Sequence, residues 1–284
     1  MRLVIISGLS GSGKSVALNV LEDTSFYCID NIPIGLLRSF LKEIASRENP
    51  DYDQVGVGLD ARNLPDIVQL PGLIDELREA GAFCEVIFLQ AADDILLSRF
   101  SETRRRHPLT SDDVSLPEAI AREREVLGPI IDMADLLIDT SSTTVSDLRN
   151  LVRARVGDRK EDVLSILIES FGYKHGLPTD ADFVFDVRCL PNPYWEPKLR
   201  PLNGRDTPVR DFLSAEAQVL EMIDDIEGFL KHWIPRYQNF QRSYLTVAIG
   251  CTGGQHRSVY VAEALAERLM AAHGPIQTRH HELP

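Results

Sequence analysis

Four cysteines, at positions 28, 84, 189 and 251, are all that the 284 residues hold. None forms a C-x-x-C pair, which argues against a zinc site and against a disulfide framework. Such a chain fits a reducing, cytoplasmic setting. Long apolar runs are missing too. No stretch approaches the roughly 20 residues that cross a bilayer. The opening MRLVIISG has no basic region ahead of an apolar one, so no membrane is expected as a partner. Positive charge is in deficit: 30 Lys and Arg stand against 43 Asp and Glu, a net charge of −13. That balance opposes blanket binding to nucleic-acid phosphates, and any RNA contact needs a local basic patch. No internal repeat is present.

What is there suits a folded enzyme or binding protein. Apolar residues make up 44% and charged residues 26%, enough for packed cores. The length favours two domains, or one large one. Near the start, the β-branched run LVIIS leads into GLSGSGKS at residues 8–15, and VALNVLED follows with helical spacing. Strand, glycine-rich loop and helix are the context in which G-x-x-x-x-G-K-[ST] binds nucleotide phosphates. Gly8, Leu9, Ser10, Gly11, Ser12 and Gly13 would bring backbone N–H groups close to an anion at a helix N-terminus. Lys14 would reach the β- and γ-phosphates, and the Ser15 hydroxyl would ligate Mg²⁺.

Apolar strands and amphipathic helices then alternate as far as TVSDLRNLVRARV, with five strands in all, and imply a parallel, doubly wound α/β sheet. Two strands end in acids, Asp30 in FYCID and Asp60 in VGVGLD. Ligands gather at such strand ends, so Asp60 is a candidate to orient Mg²⁺ through water; a helix N-cap is the alternative for both acids. Arg104, Arg105, Arg106 and His107 follow a helix. Arg105 could act from a lid on the charge of phosphoryl transfer. A solvated helix end is the other reading, and this cluster is also the strongest basic patch for RNA.

The charged stretch RVGDRKED marks the expected boundary between domains 1–156 and 157–284. The second half opens on the strand VLSILIESFG, then runs through turns rich in Asp, Arg, Asn and Pro. FLSAEAQVLEMIDDIEGFLKHWI reads as one long helix. SYLTVAIG is a strand, CTGGQHRS its turn and VYVAEALAERLMAAHG a helix. A turn between strand and helix cradles anions. Cys251 and Arg257 also carry the spacing of cysteine-dependent phosphatases, with Asp182 or Asp186 as possible acids. Three readings stand here: a phosphate cradle, a phosphatase, or a plain turn.

GLSGSGKSVALNVLED, FYCIDNIP, TRRRHPL, SFGYKHGLPTDADFVFDVRCLPNP, EPKLRP and SYLTVAIGCTGGQHRSV together resemble the RapZ/YvcJ family of bacterial nucleotide-binding proteins over nearly the whole chain. The resemblance implies a P-loop domain with weak ATPase and GTPase activity. It also implies a smaller C-terminal α/β domain that senses glucosamine-6-phosphate and presents small RNA to an endoribonuclease, in a homo-oligomer. On it, Asp60, Ala61, Arg62 and Asn63 match the family's GTP motif. Thr252, Gly253, Gly254, His256 and Arg257 would hold the sugar phosphate without attacking it. Enterobacterial members carry Lys in this loop and a basic tail. Here Gln255 stands in the loop, and residues 246–284 carry three Arg against three Glu. The RNA role therefore stays open, beside a small-molecule kinase as the alternative to a regulatory nucleotide-binding protein.

Overall fold

The computed structural model describes residues 1–45, 53–62, 67, 69–103, 106–157, 164–240 and 242–283. By its internal contacts the chain divides into two compact units, Met1–Glu161 and Asp162–Pro284.

In the first unit, strands β1 (Arg2–Gly8), β2 (Tyr27–Asp30), β3 (Gln54–Gly58), β4 (Phe83–Gln90) and β5 (Leu136–Asp139) form one sheet in the order β2-β3-β1-β4-β5. Every pairing is parallel, as the alternation with helices requires. β3 and β4 follow one another in the chain yet flank β1 on opposite sides. Crossovers that part in this way leave a crevice at the carboxyl end of the central strand.

Helices cover both faces. Leu3 and Ile5 of β1 share a cluster with Leu37 and Leu41 of α2 (Ile34–Ala45), Leu70 of α3 (Leu70–Glu79), Leu96 of α4 (Asp93–Thr103) and Ile120 and Leu127 of α5 (Leu116–Asp132). Val55 and Val57 of β3 face the same cluster. Their neighbours Gly56 and Gly58 lie against Leu21 and Leu18 of α1 (Lys14–Asp23), so strand alternation puts α1 on the other face. There α1 packs against α6 (Val145–Val152). One charged pair is built into the sheet. Arg2 Nε donates to Glu85 Oε2 at 2.9 Å, and Arg2 Nη2 donates to the Val156 carbonyl at 2.7 Å, with both side chains buried.

The alternation read from sequence leaves no element between α4 and β5, and α5 fills that gap. A capping box starts it: the Ser115 N–H and hydroxyl both donate to Glu118 Oε2, at 2.9 and 2.8 Å.

In the second unit β6 (Ser165–Gly172), β7 (Phe183–Asp186), β8 (Tyr244–Cys251) and β9 (Gln277–His280) form a parallel sheet in the order β7-β8-β6-β9. The one long helix expected over 212–234 is two, α7 (Thr207–Ser214) and α8 (Ala217–Asn239), parted by Glu216 in extended conformation. The apolar spacing explains the break. Leu213 ends one buried stripe and Val219 begins the next. A six-residue step turns about 120° away from the stripe on a continuous helix, so a straight helix would expose one of them. α9 (Arg257–His273) follows β8 and presents Val261, Ala262, Leu265 and Leu269 to the core.

Candidate functional site

β1 ends at Gly8 and α1 begins at Lys14, so residues 9–13 form a tight turn at the carboxyl end of the central strand. Gly13 has φ 106°, and a Cβ there would lie 2.6 Å from Leu148 Cδ2, which makes glycine the residue that fits. α1 has no side-chain cap and no acid in its first turn, so its N–H groups are open to an anion. Ser15 is exposed in that turn. The Lys14 ammonium donates to the carbonyls of Gly8 at 2.7 Å and Leu9 at 3.2 Å. Burial lowers its pKa, against the raising pull of Glu123, Asp60 and Asp30. Among the described residues the buried Ser12 hydroxyl meets no partner. The N–H groups of Leu9, Ser10 and Ser12 are spent on Leu89, Glu123 and Leu9, so the uncapped start of α1 is what offers backbone donors. With the Lys14 cation and the exposed Ser15 hydroxyl, these residues fit a triphosphate with its Mg²⁺.

The loop is braced from several sides. Arg99 Nη1 on α4 donates to the Gly11 carbonyl at 3.0 Å, and the Thr140 hydroxyl donates to the Ser12 carbonyl at 3.0 Å. The Ser10 N–H and hydroxyl each donate to Glu123 of α5 at 2.7 Å. A cavity of about 470 Å³ adjoins the loop, lined by Gly11, Ser12, Gly13, Arg99, Phe100 and Thr144 among others.

The strand-end acids sit beside the loop. Asp60 Oδ1 accepts the Arg62 N–H at 2.9 Å, a local bond to the residue two ahead. With its amide turned to satisfy both neighbours, Asn31 donates to Asp60 Oδ1 and accepts from Arg62 Nη1, each at 2.9 Å. Ala61 is buried and Arg62 exposed. Asn63, Arg104 and Arg105 lie outside the described residues. Arg106 is exposed and His107 is buried.

In the second unit, residues 252–256 link β8 to α9. Thr252 is exposed; Gly254 has φ 72° and packs so closely on Glu282 Oε2 that a Cβ would collide with it. Arg257 is 5% exposed, so it does not reach freely into solvent. Its Nη1 donates to the carbonyls of Arg188 at 2.7 Å and Leu190 at 3.0 Å, and its Nη2 to Thr252 Oγ1 at 3.3 Å. Its buried Nε–H meets no acceptor among the described residues. His256 Nε2 lies 3.3 Å from the Leu199 carbonyl, and burial lowers its pKa. Gly253 lies beside the Lys174 side chain.

The thiol and the two aspartates that a phosphatase would use all have protein partners. Cys251 is buried, accepts the Gly254 N–H at 3.2 Å and lies 3.1 Å from Ser258 Oγ. Hydrogen bonds from Arg188 hold the Asp186 carboxyl below the usual range. Asp182 accepts the Thr246 N–H at 2.8 Å and serves the sheet edge.

The comparisons follow this division. Residues 1–160 match the RapZ-like N-terminal domain and residues 164–284 the RapZ C-terminal domain. This chain belongs to the RapZ family. A nucleotide-binding protein of Nitrosococcus oceani is 54% identical over 284 residues, all of both chains. Another from Pseudomonas putida is 51% identical over 284 residues and again all of both chains. Among solved structures, a shikimate kinase from Bacteroides thetaiotaomicron aligns with 54% of this chain and 96% of its own, at 14% identity and a TM-score of 0.36.

Sequence reading passed over Glu123, Arg99, Thr140 and Glu282. Only Glu123 left a signal: it is the acid within the buried face Ala119, Ile120, Leu127 and Ile130 of α5. Where a buried acid occurs on an apolar stripe, it has a partner to satisfy.

Proposed function

We propose that this protein binds ATP or GTP with Mg²⁺ on the loop of residues 8–15 and hydrolyses it slowly, as a regulatory protein rather than a metabolic kinase. The observation that supports this reading most is the loop itself, ordered by Glu123, Arg99 and Thr140, with Lys14 parked on two loop carbonyls that a phosphate would replace. Lys14 would take the β- and γ-phosphates and Ser15 would hold the metal. The adjoining cavity, about 470 Å³, is of a size that takes small ligands and would receive the nucleoside. Asp60 and Arg62 stand close enough to Lys14 to act on its charge, which supports a place for them near the metal or the γ-phosphate.

The second loop, Thr252 to Arg257, would hold a phosphorylated amino sugar. The unmatched, buried Nε–H of Arg257 supports an anion there, since a phosphate oxygen is the acceptor it lacks. The buried Cys251 supports binding without covalent chemistry. Titration of glucosamine-6-phosphate into wild type and Arg257→Ala, with free phosphate followed, tests this half. Binding lost in the variant without phosphate release supports it, whereas release of phosphate contradicts it. Phosphate release from ATP and GTP tests the other half. Slow Mg²⁺-dependent turnover is expected; fast turnover only with an added acceptor would make the protein a kinase. Salt-dependent binding of small RNA would extend the reading to the adapter role.

A further inference from the structure

Glu123 projects from the middle of α5, and its side chain is wholly buried. Three donors converge on its carboxylate. The Ser10 N–H meets Oε2 at 2.7 Å, the Ser10 hydroxyl meets Oε1 at 2.7 Å, and His107 Nε2 lies 3.1 Å from Oε2. The ring proton of His107 belongs on Nε2, because Nδ1 accepts the Leu109 N–H at 3.1 Å. His107 also packs against Phe100, with ring centroids 5.2 Å apart, and Phe100 lies under Gly11. One carboxylate therefore ties the crown of the loop, the segment after α4 and α5 together.

We propose that Glu123 is the positioning residue of the phosphate loop: its carboxylate clasps Ser10 and holds the loop in the shape that accepts a triphosphate. The inference rests on the nucleotide reading of residues 8–15. The Ser10 N–H points away into protein, so the clasp fixes which loop N–H groups remain for an incoming anion. Preorganised donors bind better than donors that must first be ordered. Glu123 acts as an acceptor here, and its partners define a clean substitution. In Glu123→Gln, a carbonyl at the Oε2 position still accepts from Ser10 N–H and His107. The amide at the Oε1 position donates to the Ser10 hydroxyl, which can accept. Glutamine keeps the clasp and drops the charge, whereas alanine drops both and leaves buried donors unmatched.

The test is the affinity of the full chain for a fluorescent Mg²⁺–ATP analogue and its GTP counterpart, with melting temperature recorded beside it. Glu123→Gln is expected to bind within about threefold of wild type, and Glu123→Ala about tenfold or more weakly. Ser10→Ala, which loses one of the bonds, is expected between them. A residue that only supports α5 would change the melting temperature and leave the affinity of the folded protein alone. Unchanged affinity in Glu123→Ala overturns the proposal. Equal loss in Gln and Ala does too, since charge would then matter and not the clasp. If Glu123→Ala does not fold, Ser10→Ala decides, and wild-type affinity there overturns the proposal. No binding of either nucleotide by wild type removes the parent reading first and this inference with it.

Discussion

At the residue scale, side chains that look reactive on paper differ mainly in their surroundings. Burial pushes the Cys28 thiol up to about 12 and the Cys84 thiol up to about 11, so neither forms much thiolate near neutral pH. Cys251 is buried against Gly254 and Ser258. Cys189 is the exposed one of the four. Under native conditions an aromatic disulfide reagent is therefore expected to modify one thiol per chain quickly, and Cys189→Ser to abolish that phase. A fast phase that survives Cys189→Ser would mean that one of the other three is accessible. Arginine shows the same lesson from another side. Spacing from Cys251 marks Arg257 as a ligand-binding residue, yet three of its N–H groups hold loop 188–190 and Thr252, which leaves Nε–H and one Nη2–H to offer.

At the scale of elements, β1 carries both the fold and the site, and Arg2 shows how firmly it is anchored. Arg2 and Glu85 join neighbouring strands β1 and β4 with side chains only 2% and 0% exposed. Arg2→Met leaves Glu85 without that partner in the interior and is expected to cost about 3 kcal/mol. Urea unfolding checks this, and a loss under about 1 kcal/mol would show that the pair is dispensable. The strands were legible because each is an apolar run bounded by turn residues, and the phosphate loop because its residue types are tied to backbone geometry. α5 was not, although its start, Ser115 followed three residues later by Glu118, is a capping-box signature. Its apolar stripe carries Glu123, the acid proposed to clasp the loop, among Ala119, Ile120, Leu127 and Ile130. β7 and β9 span four residues each and sit among turn formers, where period-two alternation has no room to show. The α7–α8 break was hidden because both halves have helical composition, and only the six-residue step between stripes tells them apart.

At the scale of the whole molecule, each unit has its own sheet, its own core and its own strand–turn–helix segment. The second unit carries a titratable latch at its C-terminal strand. His281 lies 2.9 Å from the buried Glu169 carboxylate. Burial alone would lower the histidine's pKa, but the hydrogen bond and charge of Glu169, helped by Asp180 and opposed by Arg279, leave it raised. A raised native pKa means that this stabilisation is full below the unfolded value of about 6.5 and disappears as pH rises through the native value. Wild type is thus expected to lose stability relative to His281→Asn as pH rises from about 6, as urea unfolding at a series of pH values would show. A difference between the two proteins that does not change with pH would contradict the latch.

The nucleotide site is tested most directly by calorimetric titration of Mg²⁺–ATP and Mg²⁺–GTP into wild type and Lys14→Ala. Saturable binding of at least one nucleotide, with a stoichiometry of one per chain and loss of about tenfold or more in affinity in the variant, is the expected result. Equal binding by the two proteins, or none by wild type, would contradict the assignment of residues 8–15 as the phosphate site.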